Sequence, residues 1–318
     1  TNGFLCGPGG LSLGPDGNLY VADVWNQRIR AIDLKNGLIR TVAGNGARAY
    51  GGDDGPATSA YLGNPHDVSV DSSGRIVIAD TRHGNVRRVN GDGTIHGVAG
   101  TALQWDKGDG GPANCACIVH VISVVHDADD NIYLGDAGVG RIRRIDRQTE
   151  TIDTVAGCGI PGYMGDGGPA RKAKIGRPTT IRFDSAGNLY FTDEAYHVVR
   201  KVDVSGQIST VVGCGEAGFS PDGTPATKAR IHTPFGLTLA TDGTLYFSDS
   251  YNHRVRRVTR SGTIETVAGC DVPGDAGDGG AARTASLNEP HGLCLVDDKI
   301  LLISDRNNNR IKAVKLEA

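Results

Sequence analysis

No stretch of this sequence approaches the ~18 consecutive apolar residues of a membrane-spanning helix. Positive net charge is also missing: the formal charge is −3, so there is no global basic field for nucleic acid. No C-x-x-C motif occurs, and Cys115 and Cys117 form only a C-x-C. The seven cysteines are an odd set. Cys158, Cys214 and Cys270 recur at one place in three successive repeats, where equivalent points lie beyond the ~7 Å reach of a disulfide. Free thiols are expected. There is no Asn-x-Ser/Thr sequon, which leans against a glycosylated secreted protein. No G-x-S-x-G elbow and no H-E-x-x-H occurs, which removes the commonest hydrolase signatures. The opening residues TNGFLCGPGG lack the pattern of a secretory signal. No stretch longer than one turn shows a helical period, and one Met and six Phe stand against 47 Gly. That is turn-rich β composition.

One stretch is written six times. Its clearest copy is LYFSDSYNHRVRRV, residues 245–258. An apolar run ends in Asp249, a polar turn follows, and a second run carries Arg254, Arg256 and Arg257. The other copies end their first run at Asp23, Asp80, Asp136, Asp193 and Asp305, at intervals of 56 or 57 residues. Repeats of this length with four short strands each are propeller blades. In the second repeat the strands read HDVSVD, RIVIAD, NVRRVN and TIHGVAG. The expected fold is an all-β, six-bladed propeller of four-stranded antiparallel blades, one domain over residues 1–318. The blades cover about 8–44, 65–100, 121–157, 178–213, 234–269 and 290–318. The sixth ends at its third strand, so an open edge there is a site for strand addition by another chain.

Loops of the form GDGGPA join the blades and align Asp53, Asp109, Asp166, Asp222 and Asp278. This pattern predicts a turn whose Asp caps one helical turn. A Ca²⁺ loop is the alternative, but it needs more oxygen ligands than one carboxylate. Tyr50, Trp105, Tyr163 and Phe219 precede these aspartates and are expected to pack the loops onto the blades.

The literal Asn252-His253-Arg254, the preceding Ser-Asp, the R-[IV]-R strand, T-V-A-G and the GDGGPA loops together resemble the NHL-repeat family. The resemblance covers essentially the whole chain and implies a six-bladed propeller. The six repeated aspartates then brace each blade, and His197 and His253 hold the family's own structural His position.

Function is sought where the copies differ. In this topology the inter-blade loops, the turns after the repeated Asp and the starts of the innermost strands share one face around the channel mouth. Innermost strands begin Pro65-His66, Pro178-Thr179, Pro234-Phe235 and Pro290-His291, while blade three brings His120 before Val121. The candidate constellation is His66, Asp67, His83, His120, Glu194, Tyr251, His291 and Arg306. Trp25 and Arg82 join Asp67 and His83 as a ligand or partner face. Three readings stand side by side. The leading one is a binding or scaffolding propeller for a protein or small ligand. The second is a Zn²⁺-dependent lyase or hydrolase, with His66, His291 and His120 as ligands and Tyr251, Arg306 and Glu194 as catalytic groups. Here the mouth residues are similar to those of peptidyl-hydroxyglycine amidating lyase, whose Pro-His motifs hold zinc. Thr179 and Ala137 stand where that resemblance implies a third histidine and a second arginine. The third is RNA binding, which some NHL propellers perform. Glu194 and the Asp-rich loops oppose it, and Arg28, Arg82 and Arg306 are the local basic patch in its favour. Residue patterns leave compartment and ligand open.

Overall fold

The computed structural model describes residues 4–101 and 107–316. Five sheets have four antiparallel strands in sequential order and the sixth has three. Innermost strands run Pro8–Leu13, Pro65–Val70, Val121–His126, Pro178–Phe183, Pro234–Leu239 and Pro290–Val296. Each packs beside the next, and the last returns to the first, so the sheets close into a ring. Blade six consists of Pro290–Val296, Ile300–Asp305 and Arg310–Lys315. Among the described residues there is no α-helix, only short 3-10 turns, and no helix long and apolar enough to cross a membrane.

The core occupies the six seams between blades. The seam between blades four and five takes Val199 and Val212 from one sheet and Leu237, Phe247 and Ile264 from the next. Leu11, Leu19 and Val21 meet Cys294 and Leu302 where blade six returns to blade one. Second strands are covered on both faces, so Leu245–Asp249 is buried throughout, and its sequence is a run rather than an alternation.

The repeated aspartates, all fully buried, accept backbone N–H groups from the loop just before their own blade. Examples are Gly63 to Asp80 at 2.7 Å and Gly176 to Asp193 at 2.8 Å. Three residues on, Asn26, Asn252 and Asn308 bond the same carboxylates. The next residue adopts left-handed backbone in every blade, as Gly84 and Gly140 in blades two and three and a residue with a side chain in the other four. Its side chain accepts an N–H from the following blade: Gln27 from Asn64, His197 from Thr233, His253 from Glu289. Asn309 accepts from Gly7 at 2.8 Å and so ties blade six to blade one.

The linking loops depart from expectation. A 3-10 turn does follow each one, but its cap position is Pro or Ala with no side-chain cap bond. The loop aspartates instead reach buried arginines 34 residues ahead: Asp53 to Arg87, Asp109 to Arg143, Asp166 to Arg200, Asp222 to Arg256. Lys312 takes this role for Asp278. A cation already beside each carboxylate does not fit a Ca²⁺ site. Tyr50, Tyr163 and Phe219 lie against Arg87, Arg200 and Arg256, with guanidinium carbons 5.1–5.5 Å from the ring centroids. Trp105 lies outside the described residues. All seven cysteines are unpaired.

Candidate functional site at the channel mouth

Every innermost strand starts with a register shift against the second strand. A bulge of this kind turns the extra residue out of the ladder. The residues so released are those at the second position of the strand, including His66, Ile122, Phe235 and His291. This is why the copies differ there: the position is free of ladder duty.

Phe235 stacks on His291, with centroids 3.8 Å apart and 24° between planes, and lies 6.4 Å from the His66 ring. Ile122, Ala137 and Phe235 form a buried apolar cluster. The mouth is therefore plugged rather than open. Arg306 donates from Nη1 to His291 Nδ1 at 3.0 Å, which leaves the ring proton on Nε2. The Arg306 guanidinium carbon stands 5.2 Å from the Trp25 ring. Arg177 approaches Glu194 at 3.7 Å. Tyr251 meets the edge of His232 at 5.1 Å.

The electrostatics keep the imidazoles neutral. Burial, then Arg306, His120 and Arg177, hold His66 down to about 3. Burial and the same Arg306 hold His291 well below its ordinary range, and His120 is lowered by burial and Arg177. Burial raises the Glu194 carboxyl. His66 Nδ1 and Glu194 Oε2 are buried polar atoms without a hydrogen-bond partner. The mouth thus offers neutral rings, one ion pair and donors from Arg306.

The structure brings together His66, His291, Arg306, Phe235 and Trp25, with Glu194, Arg177 and His120 alongside. Two other sequence candidates, Asp67 and His83, face elsewhere. Asp67 is buried in the seam with blade three, where it accepts from Ser123 Oγ at 3.0 Å and Val124 N at 3.1 Å. His83 occupies the place of the bracing asparagines, bonded to Asp80 at 3.0 Å and edge-on to Tyr50. Arg82 is exposed, and Tyr251 is half exposed. Phe235 and Arg177 were not singled out from sequence. Comparing the same columns that yielded His66 and His120 would have found both.

The residues do not fit a zinc site. Among the described residues no three His, Cys, Asp or Glu side chains converge on one point. A guanidinium bonded to His291 adds a positive charge where a dication would sit. A half-open cavity of about 230 Å³ lies at the opposite end of the channel, lined by the far halves of the innermost strands, with Leu13, Val70, His126, Arg182 and Cys294.

A family model described as NHL repeat matches residues 5–32, 62–88 and 287–313. NHL repeat-containing protein 2 of Gallus gallus is 26% identical over 98% of this chain and 46% of its own length. Teneurin-4 of Mus musculus is 28% identical over 98% of this chain and 12% of its own length. The chain thus spans less than half of either relative. A crystal structure of a protein of unknown function from Bacteroides thetaiotaomicron is similar with a TM-score of 0.74 and 16% identity, covering 100% of this chain and 71% of that one. That likeness concerns the fold alone. Family match and blade count together show a six-bladed β-propeller that carries NHL repeats in blades one, two and six.

Proposed function

We propose that this propeller is a protein-binding module that engages its partner through the channel-mouth face. NHL propellers commonly serve as protein-binding modules. The observation that carries the reading here is an asymmetry of exposed apolar surface. Of thirteen exposed large hydrophobic residues among those described, nine lie in the linking loops, the turns after the repeated Asp or the lead into blade one. Trp25 and Tyr251 sit in turns on the mouth face, and Tyr50 and Phe219 lie beside such turns, against His83 and Arg254. The GDGGPA stretches of the loops run down the outer rim to the far-end hairpins, where Ala226 N donates to Gly262 O. Among the described residues the far-end turns and strand starts expose Leu34, Leu38, Val204 and Ile300. Aromatic residues and arginine on one face are the composition of partner-binding surfaces. A small ligand is the poorer occupant. The mouth is plugged by Phe235, and the channel cavity, about 230 Å³, falls below the ~300–1,000 Å³ typical of ligand pockets.

The test compares affinity capture by the wild-type chain, the mouth variant Trp25→Ala/Tyr251→Ala and the far-face variant Leu38→Ala/Val204→Ala. A partner lost with the mouth variant and kept with the far-face variant, then titrated as a purified pair, supports the reading. Partners that follow the far-face variant instead would place the interface at the other end.

A further inference from the structure

The far end of the channel is built from one residue per blade. Ser12, Ser69, Val125, Arg182, Thr238 and Cys294 hold the fifth position of the six innermost strands, and all of them line the cavity of about 230 Å³. Their fourth-position neighbours, such as Ile181 and Leu237, are buried in the seams, as the two-residue period of a strand requires. The copies differ here as they do at the mouth, but in the opposite sense. The mouth is plugged by apolar side chains, whereas this ring carries three hydroxyls, a thiol and a single charge, on Arg182.

Arg182 is a cation without a counter-charge. Unlike Arg87, Arg143, Arg200 and Arg256, it forms no ion pair among the described residues. Two of its five N–H donors go to backbone carbonyls: Nη1 to Ile181 O at 2.8 Å and Nη2 to Leu11 O at 3.3 Å. Blades four and one face each other across the ring, so the second bond spans the channel, and it is longer than an ordinary N–H···O bond. Acidic groups at this end are already engaged. Asp71 pairs with Arg75 at 2.6 Å and Asp130 with Arg147 at 3.0 Å, and Asp127 accepts from Asn131 N at 2.9 Å. Asp67 is held by Ser123 and Val124 in its seam. Burial raises Asp67 and Cys294, and the charge of Arg182 opposes the rise in both, so its field reaches across the ring. The hydroxyls beside it have protons to give. Ser12 Oγ accepts Val70 N at 3.2 Å, which leaves its own proton free. Thr238 is 8% exposed, and its hydroxyl has no hydrogen bond among the described residues. Ser69 Oγ and His126 Nδ1 lie 2.9 Å apart, and in either tautomer one proton is left over, on Ser69 Oγ or on His126 Nε2.

We infer that this end of the channel is a binding site for a small oxyanion, a carboxylate or phosphate group, seated on the Arg182 guanidinium and bonded by the ring hydroxyls of Ser12 and Thr238. A guanidinium presents a planar fork that matches two oxygens of such a group. A recess that holds a cation and hydroxyl donors, with its carboxylates committed elsewhere, favours negative charge. Volume sets the size of the guest. About 230 Å³ is the space of about eight waters, which admits inorganic phosphate or a short carboxylate and is too small for a nucleotide-sized ligand. The competing role for Arg182 is a brace between blades four and one. Bracing arginines in this protein are tied more fully, as Arg200 is to Lys174 O, Met164 O and Asp166, whereas Arg182 has one long bond to the opposite blade. The site lies at the other end of the channel from the mouth and is independent of the protein-binding reading.

The experiment titrates the purified 318-residue chain with sodium phosphate and, separately, with sodium acetate, in a chloride background of constant ionic strength, and follows binding by calorimetry. Expected is saturable uptake of one anion per chain; phosphate or acetate, whichever binds more tightly, names the group. Arg182→Met keeps the apolar stem and removes the charge, and should weaken binding by more than about tenfold. Thr238→Val keeps Arg182 and should weaken it by about fivefold. Arg260→Met removes a guanidinium that is 90% exposed and should bind as the wild type does. No saturation below about 10 mM, or equal affinity in Arg182→Met and wild type, would overturn the proposal. If Arg182→Met does not fold, Thr238→Val decides, and unchanged affinity there overturns it. A chain that takes up neither anion, and whose captured protein partner is lost with Arg182→Met, would make the guanidinium a protein contact and also overturn it.

Discussion

Four arginines are among the largest fully buried side chains of this protein: Arg87, Arg143, Arg200 and Arg256. Each is a clamp. Arg200 donates to Lys174 O at 2.9 Å and Met164 O at 3.2 Å and pairs with Asp166. Each guanidinium is buried but its partner carboxylate is not: Asp166 is 41% exposed, so its loss costs less than the ~3–5 kcal/mol of a fully buried pair. Asp166→Ala is therefore expected to lower stability by about 2 kcal/mol, measured by urea unfolding. Asp278→Ala should cost about 1 kcal/mol or less, because its carboxylate is 66% exposed and Lys312 keeps Asp275 at 2.9 Å. Two buried titrating groups give opposite pH slopes. His66 takes its proton at about 3 when folded but at about 6.5 when unfolded. Its contribution is full above about pH 6.5 and is lost as pH falls toward 3. Burial first, against bonds from His232 and Asn252 and the charge of Arg256, raises Asp249 to about 6. Between about pH 4 and 6 the folded state then holds a proton that the unfolded state has released, so stability falls as pH rises. Each slope is limited to about 1.4 kcal/mol per pH unit. In unfolding series from pH 4 to 6, His66→Asn should reduce the rising component, which His291 shares, and Asp249→Asn the falling one, which the other raised aspartates share.

At the scale of the element, the T-V-A-G strand shows why some of the fold is legible and some is not. The glycine closing it recurs as Gly44, Gly100, Gly157, Gly213 and Gly269, all at positive φ. A Cβ there would overlap the carbonyl of the left-handed residue after the bracing turn: Gln27, Gly84, Gly140, His197 and His253. A repeat that demands the same close approach five times writes the same letter five times, and periodicity exposes it. Gly213→Ala is expected to cost more than about 2 kcal/mol, since φ strain and a backbone collision add. Gly206→Ala, in a hairpin turn with open space around it, should lose only the φ term, about 1 kcal/mol. Urea unfolding of the two variants separates these terms. Strand count, the short sixth blade and the bracing aspartates were legible for the same reason of repetition. The pairing of each loop aspartate with an arginine 34 residues ahead was not, because the partner belongs to the following blade and carries no local signature. The mouth was half legible. Its columns were found by comparing copies, but sequence does not tell that Asp67 turns into a seam while Phe235 turns into the channel. The bulge sets that, and nothing in the local letters distinguishes the two directions.

For the whole molecule, a ring is as strong as its weakest seam, and the six seams are not equal. Five are crossed by a linking loop, so chain connectivity holds the neighbouring blades together. The seam between blades six and one is held without a covalent link, by the Asn309–Gly7 bond at 2.8 Å, the Ser304 hydroxyl on Gly9 O at 2.7 Å and the apolar set of Leu11, Leu19, Val21, Cys294 and Leu302. Gly292 allows the inner strands to meet there, since a Cβ would strike the Gly9 carbonyl. Gly236, in the seam before it, has an equivalent collision with the His291 carbonyl, and blades five and six are joined by chain. Gly292→Ala and Gly236→Ala thus introduce similar overlap at an unlinked and a linked seam. If closure is the vulnerable point, Gly292→Ala should let blades one and six part before global unfolding. Amide exchange would then rise selectively across 8–13 and 290–296, at denaturant levels where residues 121–183 stay protected. Gly236→Ala should instead lower the midpoint of a single cooperative transition. Identical exchange patterns in the two variants would mean that the seams act as one unit and that the covalent links add nothing to the closed ring.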